Sequence, residues 1–241
     1  MPDLTKSITI FINEGHPEST ASFTVPESLL IEKSQYFKDI CSLGPGRYNI
    51  RTIKLQDVDV EAFNSYMYWT CRDEVAVSNY LNDKEVLDAG LAAPLLRSIS
   101  NLWLLGARLG DSGFLNEVMD VILGAIEWLD PLSSDFTAAF PPDLITLIWS
   151  ATTQGQAIRR VVINYYAYMV SPKTMEPLWS KVHPDFFKDL TMRSLDFSQK
   201  EGQNIHTSLR ELCCYHDHGT EKCASAKVSW ESVMSTMAPL D

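Results

Sequence analysis

Near the start of the chain the apolar positions repeat every second residue. Ser7-Ile-Thr-Ile-Phe-Ile12 alternates as a half-buried strand does, and after the turn-forming Gly15-His-Pro17 a second short strand is predicted from Ala21 to Val25. The period then changes. Pro26, its φ already near the helical value, suits the first turn of a helix whose apolar face is Leu29, Leu30, Tyr36, Phe37 and Ile40, and Gly44-Pro-Gly46 ends it. Arg51-Thr-Ile-Lys-Leu55 returns to strand, and Asp57 or Asp59 can cap a helix carrying Val60, Phe63, Met67 and Thr70. A further short strand is predicted over 74–77, then an acidic stretch to Pro94. Leu95, Ile99, Leu102, Trp103 and Leu109 share one helical face, and Leu115, Val118, Met119, Ile122, Leu123 and Ile126 share the next.

Prolines and small polar residues from Asp130 to Pro142 mark a boundary. Beyond it, Leu144 to Trp149, Ala157 to Met169 and Asp185 to Leu195 read as helices, and the rest of the chain is polar without sustained periodicity. The expected organisation is a domain over 6–128, a linker over 129–142, a helical extension over 143–197 and a polar tail over 198–241. The fold class is α+β, a small sheet covered by helices and followed by an all-α extension.

Composition narrows the function. With 45% hydrophobic residues in 241, a buried core is well supplied. The net charge of −11 is concentrated in residues 1–130, which carry 10 Lys+Arg against 19 Asp+Glu. Such a surface repels phosphate backbones and anionic lipid, so neither nucleic acid nor membrane is an expected partner. No apolar run suits a membrane span and no signal-type leader opens the chain, which predicts a soluble protein of the cytoplasm, the nucleus or both. Cys41 and Cys71, isolated in apolar contexts, are expected as small core residues of a chain in a reducing compartment.

The run Phe23-Thr-Val-Pro-Glu-Ser-Leu-Leu-Ile-Glu-Lys-Ser-Gln-Tyr-Phe37 resembles the BTB/POZ domain pattern, with its aromatic strand end, paired Leu29 and Leu30, and Ser34-Gln-Tyr36-Phe37. Ile53-Lys-Leu55, Glu61-Ala-Phe63 through Tyr68-Trp69, and Leu102-Trp-Leu-Leu-Gly-Ala-Arg-Leu-Gly110 are similar to later marks of that family. A filamentous-fungal subgroup is the most similar; its helical extension contains runs like Asp143-Leu-Ile through Ala157-Ile-Arg-Arg160, and its end a Cys-x-His-x-His segment. The resemblance implies that Phe23, Leu29, Leu30, Ser34, Tyr36 and Phe37 serve the fold, and physical chemistry agrees: adjacent Tyr36 and Phe37 can seal two different neighbours, and Ser34 can bond a nearby turn.

The resemblance implies a non-catalytic recruitment module, binding itself, a cullin-type ubiquitin-ligase scaffold or a transcriptional corepressor, with no cofactor required. It would place a partner surface on the exposed faces of the helices around Asp59 to Thr70 and Ser112 to Trp128, with Asp59, Glu61, Asn64, Asn116 and Asp120 as candidates. With few residues ahead of Ser7, the strand-exchanged homodimer of some members is not expected. Cullin-binding members carry a hydrophobic-x-acidic triplet ahead of the helix beginning near Leu95, and Val86-Leu-Asp88 lies several residues early for that role.

Other chemistries are weaker. Gly110-Asp-Ser-Gly113 resembles part of a serine-protease motif, but Phe114 replaces the second glycine, and a cap between two helices explains it. Arg159 and Arg160 near a helix start lack a glycine-rich phosphate loop and read as a solvated face. Cys213-Cys-Tyr-His-Asp-His-Gly-Thr-Glu-Lys-Cys223 packs three of the five cysteines and two of the five histidines into one stretch. In an extended strand Cys214, His216 and His218 share one side, and Cys223 can complete a closed tetrahedral set for structural zinc. The spacing matches no standard finger, so a polar segment whose Cys and His merely pack is the competing expectation. A metal-binding regulatory protein using that cluster is accordingly the alternative to the interaction module.

Overall fold

The structure of the protein, a computed structural model, describes residues 6–15, 20–42, 52–73, 75, 89–128, 139–169, 175–178, 180–198 and 215–217. Three isoleucines at alternate positions explain its sheet. In β1 (Ser7–Ile12) the side chains of Ile8, Ile10 and Ile12 all point to one face and are fully buried. Antiparallel β2 (Ala21–Pro26) sets Val25 opposite Ile8 and Phe23 opposite Ile10, and parallel β3 (Thr52–Leu55) sets Ile53 opposite Ile10 and Leu55 opposite Ile12. The strand order is β2-β1-β3. A parallel pair needs a crossover, and here the crossover carries helices α1 (Glu27–Lys33) and α2 (Gln35–Ser42).

One helix was expected between Pro26 and Gly44; two are present. Ser34 interrupts it with an extended backbone (φ −105°, ψ 122°) and sends its hydroxyl to the Leu109 carbonyl at 2.6 Å. The same oxygen accepts from the Phe37 amide at 3.3 Å, so Ser34 ends α1 and caps α2. Helix α3 (Val60–Arg72) follows β3, and α4 (Ala89–Leu109) and α5 (Ser112–Trp128) form the long pair. α4 begins well before the expected Leu95. It takes in Pro94, which faces solvent, so water can serve the carbonyl that loses its helical donor there. The strand predicted over 74–77 lies, apart from non-strand Val75, outside the described residues.

The extension holds α6 (Pro142–Ala151), α7 (Ala157–Met169), a 3-10 turn (Glu176–Leu178) and α8 (Pro184–Ser198). The α+β class with a helical extension is thus as the hydrophobic pattern predicts.

The chain forms two compact units, each discontinuous in sequence: Met1–Ala76 with Asn101–Glu117, and Val77–Ser100 with Val118–Asp241. In the first, the sheet's core face meets an aromatic cluster in which Phe23 and Phe63 rings are 5.0 Å apart, Tyr66 and Phe114 5.0 Å, and Trp69 and Phe114 5.4 Å. In the second, Trp149 and Tyr166 both stand edge-on to Phe186, at 5.1 and 5.2 Å, where α7 packs on α8 and α6. Each fully buried ring contributes about 1.5–3 kcal/mol of transfer free energy, which makes these clusters the main stabilising centres. Ala139 and Phe140, at the end of the expected linker, are buried, and the Phe140 carbonyl accepts the Tyr166 hydroxyl at 2.6 Å.

Candidate interaction surface and buried polar sites

Helix α3 is built to show one face. Asp59 caps it, accepting the Ala62 amide at 2.8 Å; Glu61 in the first turn and Arg72 in the last complement the helix dipole. Asp73, in the left-handed region at φ 55°, closes the helix by donating its amide to the Trp69 carbonyl at 2.8 Å. Lys33 ion-pairs with Asp73, and its ammonium lies 4.0 Å from the Trp69 ring centroid. Ala62, Phe63, Tyr66, Met67, Trp69 and Thr70 are buried. The outer face keeps Glu61, Asn64, Cys71 and Arg72 exposed, with half-buried Tyr68 between them. The Arg72 guanidinium is 5.2 Å from the Tyr68 ring, giving an acid, an amide, an aromatic, a thiol and a base along one stripe.

The expected core position of Cys71 is therefore corrected. It falls at helical spacing with Glu61, Asn64 and Tyr68, the solvent side, and Cys41 on α2 is only half-buried. Of the candidate surface residues, Asp59, Glu61 and Asn64 are exposed, although Asp59 is already occupied as a cap and receives the Asn101 side chain at 3.5 Å. Asn116 is half-buried. Asp120 is not exposed as Asp59, Glu61 and Asn64 are: its side chain is 11% exposed, and its Oδ1 lies 2.8 Å from His216 Nε2.

Behind α3, Gly110-Asp-Ser-Gly113 forms the turn from α4 to α5. Asp111 is 2% exposed; its Oδ1 accepts the Phe114 amide at 3.0 Å and its Oδ2 the Tyr66 hydroxyl at 3.1 Å. Burial pushes the Asp111 carboxyl above the usual carboxylate range, with the amide and phenol hydrogen bonds and then Lys33 pulling it partly back. The Tyr66 phenol is raised too, first by burial and then by the neighbouring carboxylate. The cap role suits Asp111, and a buried pair holding a helix start is out of reach of a substrate. Gly110 has φ +63°, a conformation that favours glycine, and a Cβ there would stand a tight 3.1 Å from Gln35 Cβ.

Leu30 and Phe37 are fully buried, Phe23, Leu29 and Tyr36 are partly buried, and Tyr36 stands edge-on to Phe37 at 5.3 Å. Sequence reasoning missed Asn13. At φ 49°, its amide side chain donates to the Val58 carbonyl at 2.7 Å and accepts the Val58 amide at 3.1 Å, tying the end of β1 to the start of α3. An Asn just after an apolar strand, which tolerates positive φ, was the available signal.

The reading of Arg159 as a solvated residue is also overturned; Arg160 alone is exposed. Arg159 is 7% exposed and closes the end of α6. Its Nε donates to Thr152 Oγ1 at 2.8 Å, and its Nη2 to the Trp149 and Thr152 carbonyls at 2.7 and 2.5 Å. Asp189 Oδ2 stands 3.6 Å from Nη1 and accepts the Trp149 indole at 3.1 Å.

Of the Cys/His stretch, Cys214, His218 and Cys223 lie outside the described residues. Tyr215 is buried in 3-10 conformation, not extended, so the strand alternation behind the four-ligand set is absent at that residue. Tyr215 and His216 belong to the packed interior and not to a polar tail, the Tyr215 oxygen receiving the Asn164 amide. Among the described residues no group of three or more His, Cys, Asp or Glu could hold a metal, and no helix is long and apolar enough to cross a membrane. No family model and no curated protein matches this chain.

Proposed function

We propose that the chain is a non-catalytic protein-interaction module of BTB/POZ type with a helical extension, working as an adaptor or oligomerising element in the cytoplasm, the nucleus or both. The observation that carries this reading is that two separate sequence marks of the resemblance meet in space. Ser34 of Ser34-Gln-Tyr-Phe37 donates to the Leu109 carbonyl at 2.6 Å, and the Gln35 amide points to the Gly110 carbonyl at 3.4 Å. Chance likeness in two unrelated stretches gives no reason for them to touch. The exposed stripe of α3, mixing Tyr68 and Arg72 with Glu61 and Asn64, has the amphipathic composition of a contact surface.

The start of α4 at Ala89 favours the cullin arm of the proposal. Val86-Leu-Asp88, too early for a helix beginning near Leu95, directly precedes the helix in sequence. Affinity purification of the tagged full chain from its native cell, scored for cullin, corepressor and self, tests the reading. Glu61→Lys with Asn64→Lys should abolish capture with unchanged circular dichroism, and Asp88→Ala should weaken a cullin selectively. Undiminished capture by both variants would refute the surface.

A metal-binding reading of 213–223 draws on one observation, the 2.8 Å contact of His216 Nε2 with Asp120, since ligating histidines are commonly oriented by a carboxylate through the other ring nitrogen. Zinc bound to purified protein and a melting temperature lowered by a chelator would support it; neither appearing would remove it.

A further inference from the structure

Of the four segments expected from the sequence, only the extension has more cations than acids, with six Lys+Arg against five Asp+Glu over 143–197 in a chain of net −11. Three of these cations, Arg159, Arg160 and Arg193, line a cavity of about 420 Å³, and among the described residues the one carboxylate on its wall is Asp189. The described lining groups thus sum to two positive charges. A volume of this size lies within the range of small-molecule pockets, about 300–1,000 Å³.

Arg159 is preorganised. Its Nε and Nη2 are committed to Thr152 and to the Trp149 and Thr152 carbonyls, which fixes the guanidinium plane and leaves Nη1 with only the 3.6 Å ion pair to Asp189. Asp189 in turn is shared with the Trp149 indole at 3.1 Å and the Gln154 amide at 3.5 Å, which disperses its charge. Arg193 is held by its Nε on Asn164 Oδ1 at 2.8 Å. Gln154 and Gly155, just ahead of α7, bring the positive end of that helix to the same wall. The remaining wall is apolar: Ile163, the buried ring of Tyr215, and Met192, which is 57% exposed although large and apolar.

We propose that this cavity binds a small organic anion, a carboxylate- or phosphate-headed molecule with an apolar body. The head lies among Arg159, Arg160 and Arg193; the body lies along Ile163 and Met192. Guanidinium forks match both oxoanions, and the apolar wall discriminates against an inorganic ion that has no body to bury.

Calorimetric titration of the full chain with octanoate, octyl phosphate, octanol and inorganic phosphate tests it. One or both of the octyl anions should bind saturably at one site per chain, with octanol and inorganic phosphate each at least about tenfold weaker, the equivalent of one charge-assisted hydrogen bond or a small apolar contact. The tighter of the two anions identifies the head group. Arg160→Gln and Met192→Glu, both at exposed side chains, should each weaken binding about tenfold with circular dichroism unchanged. Arg193→Gln should do the same, and Arg160→Gln with Met192→Glu decides the matter where that variant loses stability with Asn164. No saturable binding of either anion, octanol binding as tightly as octanoate, or affinity unchanged in both Arg160→Gln and Met192→Glu would overturn the proposal.

Discussion

Each compact unit has, among its described residues, a charged side chain buried at a helix end, and the two solve the problem with opposite sign. Asp111 sits at the start of α5, where the helix dipole favours a negative group, and is served by neutral donors, the Phe114 amide and the Tyr66 phenol. Arg159 sits beyond the end of α6, where a positive group is favoured, and has an acidic partner in Asp189. Both satisfy orphaned backbone groups, which is the reason a charge is tolerated there at all. The difference is that Asp111, among the described residues, bears its burial without an ion pair in contact, so its carboxyl titrates high, whereas the Arg159 guanidinium has the Asp189 carboxylate 3.6 Å away.

Removing the arginine should therefore do the most damage. Arg159→Ala strands the Trp149 and Thr152 carbonyls and leaves the half-buried Asp189 with one fewer partner, a loss of about 3–5 kcal/mol in urea unfolding. A loss below about 1 kcal/mol would show that Arg159 does not hold α6, and would remove the contrast. Asp111→Ala should cost about 2–3 kcal/mol, the helix cap plus an unsatisfied Tyr66 hydroxyl. Asp111→Asn keeps a capping oxygen and should stay within about 1 kcal/mol of the parent.

Proton linkage sharpens the same comparison. Because the folded carboxyl of Asp111 titrates above its ordinary 3.8, the folded state holds its proton longer than the unfolded chain as pH rises. This residue's contribution is thus most favourable below that value and declines through the window up to the raised pKa. Plotted against pH, the stability of Asp111→Asn relative to the parent should climb across that window and flatten above it; a flat difference throughout would mean the carboxyl is not perturbed. Gly110→Ala should cost about 1–2 kcal/mol from positive φ alone. At the small end, exposed Cys71 should react with a maleimide in the folded protein, and Cys71→Ser should leave the melting curve where it was.

The local patterns were legible. β1, β3 and α7 follow from periods of two and 3.6 set by a few isoleucines, valines and tyrosines, and a cap at Asp111 or Ser112 from a helix–turn–helix boundary. What escaped the sequence were decisions made by distant partners. Nothing near Ser34 announces that its hydroxyl will find Leu109, and so break one helix into two. Arg159 in the first turn of an amphipathic helix has the same local appearance whether it meets water or the end of α6. Cys71 was misplaced for a simpler reason: its apolar character outweighed its spacing from Glu61, Asn64 and Tyr68, which sets it on the solvent face.

The bond from Ser34 to Leu109 spans 75 residues of chain, and that distance has a consequence for synthesis. A growing chain can pair β1 with β2, and then with β3, once about 55 residues have left the ribosome. The acceptor for Ser34 does not yet exist at that stage. During this interval the junction of α1 and α2 is without the hydrogen bond that Ser34 later makes to the end of α4. The nascent sheet is thus the early, local event, and closure of the first unit is a late one timed by the emergence of α4.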